Sequence, residues 1–548
     1  MKKKLSRPMR GILLVLMLVS LVSGTTAAQY YFYVQFADKN NSPYSLEQPS
    51  EYLSIRALER RQRFGIGIDS TDLPVNPAYV QQVESLGARV HSRSKWMNGM
   101  TVIVTDSTQM GQVRALPFVR FVEYTGLANG AAQVKPKKTK ATITSDYGSG
   151  DNQINQVGGK FLHNLGYRGK GIVVGVIDAG FNRADTNPAF DSLRLQGRLL
   201  GTKDIINPES NIYAEDPHGA FVLSIMTGNL PGQFLGTAPD ASFWLIRTEY
   251  GPTEYKVETD FWCAGIEFAD SVGVDVVNSS LGYYTFNDTT MNFRYADMNG
   301  KVSRASRAAT MASNKGIIVV VSAGNEGIAP WRYIVSPADA EGILTVGAMQ
   351  NDSLPANFTS YGPSSDGRVK PEVSALGEWT AFVNVSGKPM AGSGTSFSSP
   401  VMAGMMACYL QAARQLGQVL SIGNLIQNVC RSASLYGNPS IRLGYGVPNF
   451  ESATRSLPGF TGTTQVDKSG KFGLFYDPQN KSVHVWLNSR TDTTGKIVQL
   501  YNMEGKLVSE KKMTGAITCL DAGNCGTGIY AVHIGGNDTV GTRKILIP

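Results

Sequence analysis

GIVVGVID, residues 171–178, carries one charge in eight residues, and that charge comes last. The run does not alternate apolar with polar, so it is not a strand with one wet face. It reads as a strand buried on both faces, which needs helices above and below it. GIIVVVSAGNEG, residues 316–327, repeats the pattern, and between 147 and 457 such runs alternate with helical stretches. The expected fold is α/β, a parallel sheet flanked by helices. In open sheets of this kind functional groups collect at the carboxyl ends of the strands. That singles out Asp178 and Asn325.

The flanks read differently. Residues 29–125 hold strand-like YYFYVQF (30–36) and GMTVIVTD (99–106) around helical segments, a small α/β unit. Residues 126–146 include the basic run VKPKKTK between Gly/Ala-rich and Ser/Gly-rich stretches, and read as a solvated linker open to proteolysis. From 465 to 548 helix signals vanish, and short strands such as SVHVWLN and GIYAVHI separated by Gly/Asn turns suggest a small β-sandwich. Residues 1–28 have a basic start, a short apolar stretch and small residues before Ala28, the pattern of a signal peptide. The apolar stretch falls short of the ~20 residues that span a bilayer. No other segment is apolar enough, so no transmembrane helix is expected in the mature form.

Charge excludes one class of partner. The chain has 51 Lys and Arg against 43 Asp and Glu, a formal net charge of +8. Residues 1–28 contribute five of the basic groups and no acid, leaving 46 against 43, or +3. That balance does not support nucleic-acid binding. Of the five cysteines, Cys263, Cys408 and Cys430 sit in apolar contexts, while Cys519 and Cys525 are spaced to close a small loop in an oxidising compartment. No cysteine spacing resembles a zinc site.

Five histidines are present. His91 lies in the N-terminal unit, His484 and His533 on the C-terminal strands, and His163 ahead of the first central strand, where a structural role is expected. His218 opens a segment with apolar residues at Phe221, Val222, Ile225 and Met226, a helix stripe facing a core. GTSFSSPVMAG, residues 394–404, predicts a helix starting near Thr395, with Pro400 in its first turn. Taken alone, Ser396 or Thr395 serves as an N-cap. The same position places a serine beside unpaired N–H groups and the positive end of the helix dipole, where an oxyanion is stabilised. Serine as a nucleophile needs a base, and the base an orienting carboxylate. Asp178, His218 and Ser396 supply one of each, and the Asn325 carboxamide is a candidate oxyanion donor.

VIDAGF, PHGAFVLS, NSSLG, SAGNEG and GTSFSSPVMAG, in that order, resemble the five signature segments of subtilisin-like serine peptidases. The resemblance covers residues 147–457. It implies a secreted endopeptidase in which Ser396 is the nucleophile, His218 the general base and then acid, Asp178 the orienting carboxylate and Asn325 an oxyanion donor. It also implies that Ser280-Leu281-Gly282 and Ser322-Ala323-Gly324 wall the first substrate pocket. No cofactor is needed for such chemistry; a structural calcium ion is compatible with the family, its ligands unspecified. Two departures stand out. Ala220 and Phe221 replace the usual Thr and His, and Ala179 replaces a hydroxyl residue that supports the aspartate. Residues 29–125 resemble a subtilisin-type inhibitory propeptide, so a zymogen is expected. LYNMEGKLV, GTGIYAVHI and the terminal RKILIP resemble the sorting domain of type IX secretion. The implied partners are protein or peptide substrates, the chain's own propeptide and the type IX machinery, and the implied location is outside the cell or on its surface, reached through the periplasm.

Other readings fit less. An α/β-hydrolase esterase wants G-x-S-x-G and the order Ser, Asp, His, whereas Ser398 stands where the second glycine belongs and the order is reversed. Sedolisin-like peptidases use Glu in place of His. A non-enzymatic scaffold requires loss of a triad member, and none is missing.

Overall fold

The computed structural model describes residues 28–128, 139–140, 147–458, 460, 472–477, 480–487, 495–514, 517–536 and 541–547. The signal-peptide reading falls almost wholly on residues 1–27, outside the described ones. Among the described residues no helix is long and apolar enough to cross a membrane.

The N-terminal unit is a four-stranded antiparallel sheet of β1 (Tyr30–Phe36), β2 (Arg89–Ser94), β3 (Gly99–Val104) and β4 (Val119–Leu127), in the order β2-β3-β1-β4. Helices α1 (Ile55–Phe64) and α2 (Pro77–Ser85) accompany it. Phe32, Val34, Met100 and Val102 point to one face and form a core with Val80 and Val83 of α2. Tyr33, between them in β1, points to the other face and packs into the central unit. This is the period-2 geometry of a strand with two covered faces.

The central sheet has seven parallel strands: β5 (Val173–Asp178), β6 (Leu199–Asp204), β7 (Ser242–Arg247), β8 (Val276–Ser279), β9 (Ile318–Ser322), β10 (Leu344–Met349) and β11 (Val373–Leu376). Their order is β11-β10-β9-β8-β5-β7-β6. All six residues of β5 are buried. Val174 and Val176 belong to the core that contains α3 (His218–Thr227) and α6 (Thr395–Gln415), whereas Val173 and Ile177 belong to that of α4 (Val257–Val272) and α5 (Arg304–Asn314). The doubly covered strand expected from GIVVGVID is what the sheet contains. The chain leaves β5 for β6 and β7 on one side and β8 to β11 on the other, so the order reverses at β5, and a crevice forms at the strand ends there.

Helix α3 departs from its expected stripe: residues 219–227 are all buried, because β5 lies on one side, α6 on another and the strand Thr380–Val383 on a third. Strand β4 runs to Leu127, past the expected unit boundary at 125, and within the expected linker Thr139–Lys140 pairs antiparallel with Met390 and Ala391. The C-terminal part is two antiparallel sheets, of three and four strands, closing over Leu474, Val483, Val485, Val498, Leu500, Val532 and Ile534. Phe475 alternates to the outer face and stacks on Phe460, with centroids 5.3 Å apart. All five cysteines are free thiols, so Cys519 and Cys525 are not bridged: Cys519 is exposed and Cys525 packs against the sandwich core.

Candidate active site

Asp178 ends β5, and its side chain is wholly buried. One oxygen, Oδ1, accepts from the Ala179 N–H and from His218 Nδ1, each at 2.8 Å. The other, Oδ2, is buried and has no hydrogen-bond partner among the described residues. The residue that follows, Ala179, has no hydroxyl to offer it.

His218 is the first residue of α3, and its backbone N–H donates to Asp216 Oδ1 at 2.7 Å. Glycine is required on both sides of the contact between the two loops. A Cβ on Gly219 would lie 2.4 Å from the Gly180 carbonyl oxygen, and one on Gly180 would lie 2.4 Å from the Asp216 nitrogen. Burial by itself pushes the His218 ring down. The Asp178 carboxylate overcomes that, with Asp216 and Glu249 adding to it, and raises the ring to about 9. Phe221 is 4.8 Å from Phe382, which stacks on Phe397 at 5.2 Å. The residue that replaces the usual histidine thus starts an aromatic wall beside the site.

Ser396 is the second residue of α6. Neither it nor Thr395 caps the helix. The N-cap is Gly394, and Thr395 Oγ1 donates to Asn325 Oδ1 while receiving the Gly324 N–H. Pro400 is the sixth helical residue, not a first-turn one. Its missing N–H leaves the Ser396 carbonyl without its intrahelical donor. Ser280 Oγ fills the gap at 3.0 Å and in turn receives Asn278 Nδ2 at 3.1 Å, while Asn278 Oδ1 accepts from Ser399 at 2.8 Å. The end of β8 is thereby stitched to the start of α6. The Ser396 hydroxyl donates to the Ser280 carbonyl at 3.3 Å, and among the described residues it makes no hydrogen bond to His218. Unliganded sites commonly hold this contact long and tighten it on substrate.

Asn325 Oδ1 accepts from the Thr395 N–H at 2.8 Å and from its hydroxyl at 3.0 Å. With the oxygen engaged twice, the amide nitrogen is the end left to face the cleft. That cleft, of about 480 Å³, is lined by His218, Ser396, Asn325, Ser280, Leu281 and Gly282, among others. Ser322 and Ala323 lie beneath its surface, 4% and 0% exposed, while Gly324 is half-buried. His218, Ser396, Asn325 and the 280–282 wall are brought together around the cleft, with Asp178 behind His218, whereas Ser322, Ala323 and Gly324 are not among the residues that line it.

Two acids were not anticipated. Asp216 and Glu249 line the same cleft. Burial, with Asp178 and Asp216 facing it, pushes Glu249 well above the usual carboxylate range. Glu249 follows β7, the neighbour of β5, so the strand-end rule that found Asp178 also points to it. Among the described residues no group of three or more His, Cys, Asp or Glu is placed to hold a metal ion.

Residues 169–446 match the subtilase family, residues 31–142 the peptidase S8 propeptide domain of Bacteroidota, and residues 474–548 a secretion system C-terminal sorting domain. Serine protease AprX of Bacillus subtilis is 27% identical over 272 residues, 44% of this chain and 58% of AprX. Subtilisin NAT of Bacillus subtilis subsp. natto is 27% identical over 356 residues, 64% of this chain and 80% of that protein. The crystal structure of MycP1 without its N-terminal propeptide aligns over 54% of this chain and 96% of MycP1, at 23% identity and a TM-score of 0.42. A type IX sorting domain marks the chain for export and for secretion or attachment at the cell surface. With its peptidase model covering half of the residues, a matched propeptide ahead of it and the sorting domain behind, the chain belongs to the subtilase family of serine peptidases.

Proposed function

We propose that the protein is a secreted serine endopeptidase that cleaves peptide bonds through Asp178, His218 and Ser396 by way of an acyl-enzyme. The observation that carries this reading is the 2.8 Å bond from His218 Nδ1 to a fully buried Asp178, in a cleft that Ser396 and Asn325 also line. The bond fixes the tautomer: Nδ1 holds its hydrogen toward Asp178, which leaves Nε2 as the basic nitrogen. Neutral His218 takes the Ser396 proton as Oγ attacks the scissile carbonyl. The oxyanion that forms meets the Asn325 amide and the Ser396 N–H at the positive end of α6. The imidazolium, stabilised by Asp178, then gives its proton to the leaving amine. Water repeats the cycle in reverse to release the acid.

Residues 29–125 act as an inhibitory propeptide, 126–146 contain the processing region, 147–457 form the peptidase and 465–548 the sorting domain used by the type IX machinery. Support for inhibition comes from the path of β4, whose end, Leu127 with Ala128, lines one cavity of about 200 Å³ together with Tyr250, Thr253 and Tyr255. That loop also contributes Glu249 and Gly251 to the cleft. The test is covalent labelling of the processed protein with a small alkyl fluorophosphonate, together with hydrolysis of a denatured protein substrate. Label on Ser396, and loss of both label and hydrolysis in Ser396→Ala, are expected. Unchanged hydrolysis by that variant would refute the reading.

A further inference from the structure

The two walls proposed for the first substrate pocket each end in glycine, Gly282 and Gly324. Gly282 lines the cleft, Gly324 precedes Asn325, which also lines it, and neither glycine has a side chain to fill the space beside it. In this chain that slot is filled from behind by Val335. A Cβ added to Gly282 would lie 2.3 Å from Val335 Cγ2, and one added to Gly324 would lie 3.1 Å from the same methyl and 3.3 Å from Cγ1. One isopropyl group therefore touches both walls. Val335 is 4% exposed, so it is packed behind the two glycines and does not project into the open cleft.

The floor is anchored on each side. The Val335 N–H donates to Ala323 O at 3.3 Å, on one wall. The next residue, Ser336, exchanges both backbone hydrogen bonds with Tyr283, on the other, at 2.8 and 3.1 Å. The outer end of the slot is strapped as well. Tyr284 donates to Glu326 Oε2 at 2.7 Å, and its ring lies 4.9 Å from Trp331. A large side chain entering between Gly282 and Gly324 would overlap the Val335 methyls, and close-packed, anchored groups yield little.

We infer that Val335 makes this pocket shallow, so that the enzyme cleaves after small residues such as Gly, Ala and Ser and rejects Leu, Phe and Tyr. The inference rests on the peptidase reading above and names its substrate class. The chain's own sequence is compatible with it: beyond Leu127 the residues are Ala128, Asn129, Gly130, Ala131 and Ala132, none larger than Asn.

The processed enzyme, purified after expression of the full chain, is treated with peptidyl diphenyl phosphonates of sequence Ala-Ala-Pro-X, with X = Ala or Phe. Intact mass then gives the rate of labelling. The Ala reagent is expected to react at least about tenfold faster than the Phe reagent, the scale on which pocket shape discriminates. Val335→Gly should reduce that ratio by at least about tenfold, and Val335→Ala by less, through faster reaction with Phe. Equal rates in the unaltered enzyme would overturn the inference. So would an unchanged ratio in both variants while an alkyl fluorophosphonate, which does not use the pocket, still labels Ser396. If Val335→Gly fails to fold, Val335→Ala decides. Absence of fluorophosphonate labelling in the unaltered enzyme would instead sink the peptidase reading, and this inference with it.

Discussion

Asp178 and Asp270 are both fully buried aspartates of the central unit, and the structure uses them in opposite ways. Asp270, on α4, faces the N-terminal unit. It receives Arg60 and Arg61 of α1 and Lys95, the last at 3.0 Å, with Arg61 at 2.8 Å, so three cations answer one carboxylate. Burial pushes Asp270 up; Lys95, Arg60 and Arg61 outweigh it and hold the carboxyl at about 2. Nearby, Glu267 caps the turn after β2 by accepting the backbone N–H groups of Lys95 at 2.7 Å and Trp96 at 3.2 Å. Among the described residues Asp178 has one partner that can carry charge, His218, and one oxygen without a partner. A carboxylate surrounded by fixed cations is a clamp whose charge is always answered. A carboxylate paired with a single imidazole leaves a proton in play, and that pairing suits proton transfer.

Altering each aspartate should therefore fail differently. The largest effect is expected from Asp178→Asn, which should lower kcat by about 10⁴ through the wrong imidazole tautomer. Turnover of a peptide substrate by the processed enzyme checks this. Asp270→Ala should act on stability instead. It strands Arg60 in a buried interface, while Arg61 keeps Asp72 at 2.9 Å, a loss of about 3–5 kcal/mol, seen as lowered unfolding stability of the Ser396→Ala precursor with the N-terminal unit in place.

Titration separates the two further. Asp270 is depressed from 3.8 to about 2, so its stabilisation is present above 3.8 and disappears as pH falls toward 2. His218 is raised from 6.5 to about 9, so the stabilisation from its pairing is present below 6.5 and disappears as pH rises through about 9. Unfolding of the Ser396→Ala precursor across pH should thus lose one contribution at each extreme. For activity the sign reverses, because His218 acts as a base only when neutral. The acid limb of kcat/KM is expected above the ordinary histidine range. Asp216→Asn removes a carboxylate that favours the imidazolium, and should move that limb to lower pH; an unmoved limb would mean Asp216 matters only as a cap on α3. The smallest effect is expected from Ala179→Ser. A hydroxyl on the residue next to Asp178 supplies a donor that its Oδ2 now lacks, a gain of about 1 kcal/mol in stability, read from the unfolding midpoint.

Legibility followed the range of the cause. Asp178 and Asn325 were visible because each follows an apolar run that can only be an interior strand, and Ser396 because the start of a helix is marked locally. Helix α3 was understated: its four-residue stripe predicts one covered face, whereas α6 and the strand Thr380–Val383 cover the others. Pro400 lies a turn later in the helix than GTSFSSPVMAG suggests, since nothing in that stretch says that a hydroxyl 116 positions away, on Ser280, replaces the N–H that proline lacks. Val335 carries no signal at all as a valine in a loop, and only its position behind two glycines gives it meaning.

The amino-acid order alone determined the alternation that makes a parallel sheet, the strand ends that carry Asp178 and Asn325, and the serine at a helix start. These rest on hydrophobic period and on capping, which act over a few residues. Which aspartate is a clamp and which is paired to an imidazole, and how deep the substrate pocket runs, were decided by the tertiary structure. Such properties depend on which distant groups share a volume that excludes water, where one added cation or methyl changes the energy of everything around it.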